Sequence, residues 1–586
     1  MNKIIRSNIF FLIILTISIL AIYAKSISFG FTELDDDTLI TNNINYISDI
    51  SSIPKHFTTD CYYIHDFQYY RPILSISFSI EAILFGNNPK IYHISNIILF
   101  ILSLFLIFLL LAKLKFNQNI VKFICLLMAI HPIFTSCAVW IPARNDTLLL
   151  IFLMLSFINF INYLEKDRIQ HLILYILFFS MALFAKETTV ILIPLYGLFI
   201  YCFDLNISKE KVIKIFLILL PIVIVYFVLR SIAVPDVSIK EYLINWQKYS
   251  ANIIKGMMVY IDNFIEPGYI PIMLYNIKLN FKVIIINISV LSSLGFVYYK
   301  KIINRKIILF GIIWFIVCLL PTFFTIEYLF LTHRVIISSV GIIMVLSLIL
   351  DKFVLKYPVI QKYLIVFSIV LAIIFSSFSY IESDKYKNAD KFWTNAYIDA
   401  KEYHVVYFSL SKRYSLYKDY QKARKMIEKA IELSPKTTYF IELVKISFLI
   451  NKNLEEAETN YLKILDAVNG NNFLCLFELS RIYYLKNDIK NAIEYAQKAT
   501  DLKKYDILCL GNLAKFYTMN GEYKKSIDTS LRLLELDKEN KGYYYYNISL
   551  LYKDLNDKQE SLNYIKKAIS ASPYNKEYKK ILEELI

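Results

Sequence analysis

The sequence predicts an all-α protein in two parts: a polytopic helical membrane domain of about eleven spans, then a solenoid of helix pairs. Three observations carry that expectation. Apolar runs long enough to cross a bilayer crowd residues 9–380. Charge and helical periodicity rise after residue 380, and from His404 the sequence repeats every 34–35 residues. The expected boundaries are a membrane domain over 1–380, a connecting helix in 381–403 and repeats over 404–586. With 586 residues, 57% of them hydrophobic, the chain is too long for one core and too apolar for an ordinary soluble protein.

The spans fall near 9–24, 91–111, 120–138, 147–164, 170–185, 188–203, 212–229, 279–299, 307–324, 334–350 and 363–380. The first has a short basic start (Lys3, Arg6) like a signal peptide; with ten spans behind it, an uncleaved anchor is expected. Placing the N-terminus inside gives the inner segments seventeen Lys and Arg, among them Lys113, Lys166, Lys211, Lys301 and Lys356. The short outer loops hold three: Arg144, Lys186 and Arg334. An odd span count then puts the C-terminal part outside, with the long loops 25–90 and 231–278. Cations placed against the rule need another reason to be there.

The net charge of +15 does not mark a nucleic-acid binder. Residues 381–586 hold 34 Lys and Arg against 29 Asp and Glu, a net of +5, and the rest follows the cytoplasmic loops. No basic arm or zinc finger is present, so no nucleic acid is expected as a partner. Seven cysteines show no CxxC spacing. Cys125, Cys137, Cys202 and Cys318 lie in apolar runs as small core residues, and Cys475 and Cys509 occupy equivalent positions of adjacent repeats, so no disulfide framework is expected.

In the repeats a small residue recurs at Ala423, Ala457, Ala492, Ser526 and Ser561. Seven residues on come Ala430, Ile464, Ala499, Leu533 and Ala568, while the first helices carry Tyr414, Phe448, Tyr483, Tyr517 and Tyr552 in register. Units one and five close with Pro435 and Pro573, and Tyr574–Ile586 reads as a capping helix. This pattern resembles the tetratricopeptide repeat, in which small residues let helices pack closely. Five units and a cap imply a concave binding surface rather than catalysis.

Ionisable groups at membrane depth are costly and become functional candidates by default. Asp35, Asp36 and Asp37 follow the first span, and "YYRPILSISFSIEAILFG" sets Arg71 before and Glu81 within a stretch too short to cross, best read as an interfacial helix. His93 opens the second span; His131, Arg144 and Asp146 surround an outer turn; Lys186 and Glu187 make a tight turn; His333 and Arg334 open a late span. Bland alternatives stand beside each. His93 and His131 could be hydrogen-bonded helix-end residues, Lys186 and Glu187 a local ion pair, Glu81 a partner of Arg71, and Asp146 a helix cap. His56, Asp60, His65 and Asp66 match no tight metal-ligand spacing and read as a wet aromatic loop. All these clusters fall on one face under a topology derived from lysine counts alone. Carboxylates and cations facing one cleft suit holding an anionic head group while a carboxylate takes a proton from a hydroxyl.

At these residues the sequence resembles the transmembrane and tetratricopeptide-repeat O-mannosyltransferases and their bacterial relatives, glycosyltransferases of the GT-C fold. The matching elements are Asp35, Asp36, Ile40 and Asn43; "YRP" at 70–72 with Glu81 downstream; His93 and Asn96; His131, Pro132, Thr135, Trp140, Arg144 and Asp146; Lys186 and Glu187; and Arg334. It departs from the family at Phe100, Ser136, Ala143, Ile336 and Ser338. The resemblance implies an inverting transfer of a sugar from a polyprenyl-phosphate carrier, the lipid-linked donor, to a hydroxyl acceptor outside the membrane, with protein Ser or Thr expected. It implies Asp35 as general base with Asp36 assisting, the pair being also the place for any divalent cation (Mg or Mn). Arg71, Lys186 and Arg334 would hold the donor phosphate. Glu81, His93, His131, Arg144, Asp146, Glu187 and His333 would shape the sugar pocket or support it from behind. The repeats would bind the protein acceptor or envelope partners. Two other readings stay open: transfer to a glycan or lipid, and a non-catalytic scaffold for envelope assembly or secretion. A composition rich in Ile, Lys, Asn, Tyr and Phe fits a low-GC bacterial genome, which places the protein in the inner membrane with the site facing the periplasm; in a eukaryote that face is the endoplasmic reticulum lumen.

Overall fold

Apart from one pair of two-residue strands, helices make up the regular structure of the computed structural model, which describes residues 2–63, 69–234, 246–275, 277–323, 330–356, 360–504, 506–537 and 540–586. Backbone contacts divide the chain into two units, Met1–Glu402 and Tyr403–Ile586.

In the first unit eight helices are long and apolar enough to cross a bilayer: Ser7–Ser28, Pro89–Lys113, Ile141–Lys166, Lys209–Ala233, Phe281–Tyr299, Arg305–Thr322, Thr332–Val354 and Val366–Tyr386. Gln118–Ile130 and Pro132–Val139 pass the same test together as a pair bent by 65°. Ile169–Ala185 and Glu187–Cys202 are shorter apolar helices. Each of the eleven expected runs therefore meets a helix, but two are shorter than an upright span requires and one is broken. The break has a local cause. His131 precedes Pro132, is extended (φ −79°, ψ 129°), and accepts a hydrogen bond from Ile133 N on its own Nδ1 at 3.2 Å. Pro72–Phe85, the expected interfacial helix, has 14 residues, too few to span.

Two ends of this unit are recognisable from its ion pairs. Lys113–Glu165, Lys211–Asp167 and Lys306–Asp204 join residues that the lysine count puts inside. Lys25–Asp384, Arg71–Glu187, Arg144–Glu81, Lys186–Asp146 and Lys385–Glu382 join residues it puts outside. Among the described residues of this unit no ion pair crosses between the two sets.

Close helix crossing depends on glycine at one place. A Cβ on Gly311 would sit 2.8 Å from Gly341 O, and one on Gly341 would meet Gly311 O and lie 3.1 Å from Phe315 N. Helices Arg305–Leu319 and Val335–Lys356 thus touch backbone to backbone, as small residues permit in membranes. Just before the second of these helices, Phe330–Leu331 pairs antiparallel with Met273–Leu274, Met273 opposite Leu331.

The expected connecting helix is not a free spacer. The last span helix runs Ile360–Ser383, a short turn covers Asp384–Tyr386, and helix Ala389–Asp399 starts where Asn388 accepts from Lys391 N at 3.0 Å. Phe392, Trp393 and Ala396 are buried, and the whole segment packs within the first unit.

The second unit is five helix pairs: His404–Leu416 with Tyr420–Leu433, Thr437–Asn451 with Leu454–Ala467, Phe473–Leu485 with Ile489–Leu502, Ile507–Met519 with Tyr523–Leu536, and Lys541–Asp554 with Lys558–Ala571. Helix Lys576–Leu585 closes it. Ala423, Ala457, Ala492, Ser526 and Ser561 are all buried, where any larger side chain would push the pair apart. Asp419, Asn453, Asp488 and Asp557 cap four of the second helices through side-chain oxygens. Of the four consecutive tyrosines Tyr543–Tyr546, Tyr544 is buried and donates to Asp537, Tyr543 is exposed, and Tyr546 stacks on Tyr578 of the closing helix. All seven cysteines are free and buried.

Candidate functional site

The acidic stretch after the first span folds around Asp36. Its carboxylate accepts from Thr32 N at 2.6 Å, Leu34 N at 3.1 Å and Thr32 Oγ1 at 3.1 Å. Trp140 Nε1 donates to the same Thr32 hydroxyl at 3.1 Å, tying the loop to the turn before helix Arg144–Lys166. Asp36 is fully buried, and burial pushes its carboxyl up to about 7 against the pull of those donors, with Asp37 adding to the rise. Asp35 behaves differently. It is half-buried, its carboxylate accepts from the Tyr62 hydroxyl, and it lies in the field of Arg71 and Arg334. Burial raises its carboxyl above the ordinary value, and the two arginines pull it back. Asp37 is half-buried.

The cations around Asp35 arrive from three elements. Arg71 forks onto Glu187 (Nε–Oε2 3.1 Å, Nη2–Oε1 2.9 Å) and lies 4.4 Å from the Tyr69 ring centroid. Lys186 binds Asp146 at 2.7 Å, and His333 Nε2 lies 3.5 Å from the other oxygen of that carboxylate. Arg334 Nη1 donates to Thr322 O at 3.2 Å. Lys186, Arg71 and Arg334 are near enough to feel one another's charge. The local Lys186–Glu187 pair is not formed, because Lys186 is extended (φ −158°, ψ 130°) and extended backbone turns successive side chains to opposite sides. Nor does Glu81 meet Arg71. Asp146 does not cap its helix; it sits in the first turn, where the dipole favours an anion, and reaches across to Lys186.

Behind this group lies a second, drier one. The side chain of Arg144, fully buried, binds Glu81 at 2.8 Å, Asn96 Oδ1 at 2.7 Å and Tyr92 O at 3.0 Å, with its guanidinium 4.5 Å from the Phe78 ring. It joins helix Pro72–Phe85 to helix Pro89–Lys113 and to its own. Asn96 Nδ2 donates to Trp140 O at 3.0 Å. His93 Nε2 faces Gly30 O at 3.4 Å, steadying the start of the Asp35 loop. His131 is set among Phe134, Phe264 and Phe375, with one ring nitrogen on Phe264 O at 3.1 Å and the other on Ile133 N. Thus Asp35, Arg71, Lys186, Arg334, Asp146, Glu187 and His333 form one group. Glu81, His93 and Arg144 brace the elements that carry it, and His131 serves a helix end.

Of the loop residues His56, Asp60, His65 and Asp66, the last two lie outside the described residues. His56 is buried, not wet: Nε2 pairs with Ser79 Oγ at 2.7 Å, and burial lowers its pKa to about 4. Among the described residues no three His, Cys, Asp or Glu side chains gather as metal ligands. Asp36 is already occupied by loop donors and Asp35 faces cations, so this donor set does not fit the oxygen-rich shell that Mg or Mn needs. Sequence pattern alone missed Thr32, Tyr62, Tyr69 and the segment 384–399, whose Phe392 stacks on Trp140. The aromatic density around Arg71 was the one visible hint.

Fold and site together define a class: a multi-pass membrane protein with a charged site at one end of its helical domain and a helix-pair solenoid after it. Comparison with known proteins narrows it. Residues 72–231 match the family "Dolichyl-phosphate-mannose-protein mannosyltransferase", a segment that holds Glu81, His93, Arg144, Asp146, Lys186 and Glu187. Residues 405–437 match "Tetratricopeptide repeat" and residues 437–581 match "Iml2/Tetratricopeptide repeat protein 39". Protein O-mannosyl-transferase TMTC1 of Homo sapiens is 32% identical over 98 residues, covering 17% of this chain and 11% of that protein. Protein O-mannosyl-transferase Tmtc1 of Drosophila melanogaster is 27% identical over 129 residues, covering 22% and 15%. The chain therefore matches a small part of the length of these relatives. Among solved structures, YrrB, a TPR protein with an unusual peptide-binding site, is 19% identical with a TM-score of 0.27, covering 33% of this chain and 97% of that one. MamA is 18% identical with a TM-score of 0.26, covering 30% and 95%. Residues 72–231 are thus similar to a mannosyltransferase family and residues 405–581 to tetratricopeptide repeats.

Proposed function

We propose that this protein is a membrane glycosyltransferase that moves a sugar from a polyprenyl-phosphate carrier to a hydroxyl of an acceptor protein, Ser or Thr, on the outer face of the membrane. The observation that carries the reading is one half-buried carboxylate, Asp35, in the field of Arg71 and Arg334, in a chain whose residues 72–231, which hold the Lys186–Asp146 pair, are similar to mannosyltransferases. In the proposed step the acceptor oxygen attacks the sugar's anomeric carbon and passes its proton to Asp35. The bond from that carbon to the phosphate oxygen breaks, and its electrons leave with polyprenyl phosphate. Arg71, Lys186 and Arg334 offset the charge that grows on that phosphate. A single displacement without an enzyme nucleophile inverts the anomeric centre. An Asp35 carboxyl above the ordinary range suits a base, because its proton affinity moves toward the working pH.

The lysine distribution supports a site facing the periplasm in a bacterium, or the endoplasmic reticulum lumen in a eukaryote, with the repeats on the same side selecting the acceptor. The deciding experiment is sugar transfer by the purified full chain with Asp35→Asn and Asp36→Asn combined. Transfer should fall by about 100-fold or more, the usual contribution of a general base. Undiminished transfer would reject the assignment.

A further inference from the structure

The segment between the last span and the repeats touches both loops of the candidate site. On one side, Gly30 N donates to Lys387 O at 2.9 Å, and Phe392 stacks on Trp140 (centroids 6.2 Å apart, planes at 23°), whose Nε1 holds Thr32 in the Asp35 loop. On the other, the Tyr386 hydroxyl lies beside Thr332, two residues before Arg334. The chain that pairs with that second loop is held as well. Lys385 Nζ donates to Ile270 O at 2.7 Å, and Asp399 accepts from Ile272 N at 2.7 Å and from the Tyr269 hydroxyl. Strand Met273–Leu274 follows directly and pairs with Phe330–Leu331.

Such an arrangement costs too much to be a linker. Lys385 and Glu382 are both buried and paired at 2.6 Å, which takes two charges out of water and repays them only if the geometry is held. A spacer needs none of these contacts. A brace between two loops needs all of them.

We propose that residues 384–399 are a clamp that fixes the spacing between the loop carrying Asp35 and the loop carrying Arg334, with Phe392 and Asp399 as its positioning residues. For its functional meaning this rests on the transferase reading. The segment ahead of the repeats is then part of the transfer site, and Tyr386, Phe392 and Asp399 act through Thr332, Trp140 and the 269–274 chain without touching substrate.

The test is hydrogen exchange, read by mass spectrometry, on the full chain in lipid nanodiscs. Phe392→Ala should speed exchange by about tenfold over residues 28–36, and Asp399→Ala by as much over 269–274 and 330–334, as expected when a local brace is lost. Both should leave the inner-end residues 200–206 and 300–306 at the wild-type rate. Asp399→Asn, which keeps one acceptor oxygen, should fall between Asp399→Ala and wild type. Unchanged exchange in the two loops would overturn the clamp, and so would equal acceleration at the inner end, which marks general destabilisation. No sugar enters this measurement, so a failure of the transferase reading leaves its result standing, and a failure of the clamp leaves Asp35 testable.

Discussion

Asp35 and Asp36 are neighbours of identical chemistry, yet the fold gives them opposite tasks. Asp36 spends its carboxylate on Thr32 and Leu34 and so shapes the loop; Asp35 turns toward Tyr62 and the arginines. The resemblance puts Asp35 before Asp36 as the base, but the physical difference between the two was not legible in sequence, because it depends on which way a four-residue helical turn, Asp36–Leu39, faces its neighbours. It is the same with the ion pairs. Every charged partner was visible as an outer residue, whereas the pairing itself, Arg71 with Glu187 and Lys186 with Asp146, follows from the extended backbone at Lys186. Asp36 also carries a pH signature. Its folded value of about 7 lies above the 3.8 of an unstructured carboxyl, so the folded state binds the proton more tightly. The stability this adds is complete below pH 3.8 and is lost as pH rises toward 7. Asp36→Asn does not titrate and lacks that slope. Thermal unfolding followed by intrinsic fluorescence should show wild type losing ground to Asp36→Asn as pH rises through this window.

Elements were the most legible scale, because an apolar run of twenty residues has few alternatives to a helix in lipid. Each run expected to span coincides with a helix, and the repeat register at Ala423, Ala457, Ala492, Ser526 and Ser561 coincides with the buried face of the second helices. Lengths and breaks were less legible. Pro132 was visible, but the 65° bend also needs His131 to serve as the cap of the next turn. The packing of the connecting helix was not legible for a related reason: its apolar face, Phe392, Trp393 and Ala396, has helical spacing but gives no sign of what covers it. Helix crossing was hidden altogether, since Gly311 and Gly341 are lone glycines in apolar runs. Gly341→Leu must push helix Val335–Lys356 off helix Arg305–Leu319, and with it the segment that starts beside Arg334. We expect the variant to lose folded yield in detergent, measured by size-exclusion chromatography, while Gly295→Leu, at an open position, behaves as wild type.

At the scale of the whole molecule, the account depends on sidedness. Counting lysines partitions the loops into two sets, and the ion pairs of the first unit respect that partition. A reporter fused after Ile586 should therefore be active only outside the cytoplasm; a cytoplasmic signal would separate the repeats from the site they are proposed to serve. The central claim, that Asp35 drives sugar transfer onto exported proteins, is tested most directly by comparative glycoproteomics of cells carrying either the wild-type chain or Asp35→Asn at equal abundance. The account predicts a set of Ser- or Thr-linked glycopeptides that vanishes with Asp35→Asn. An identical set of glycopeptides in both cells would contradict it.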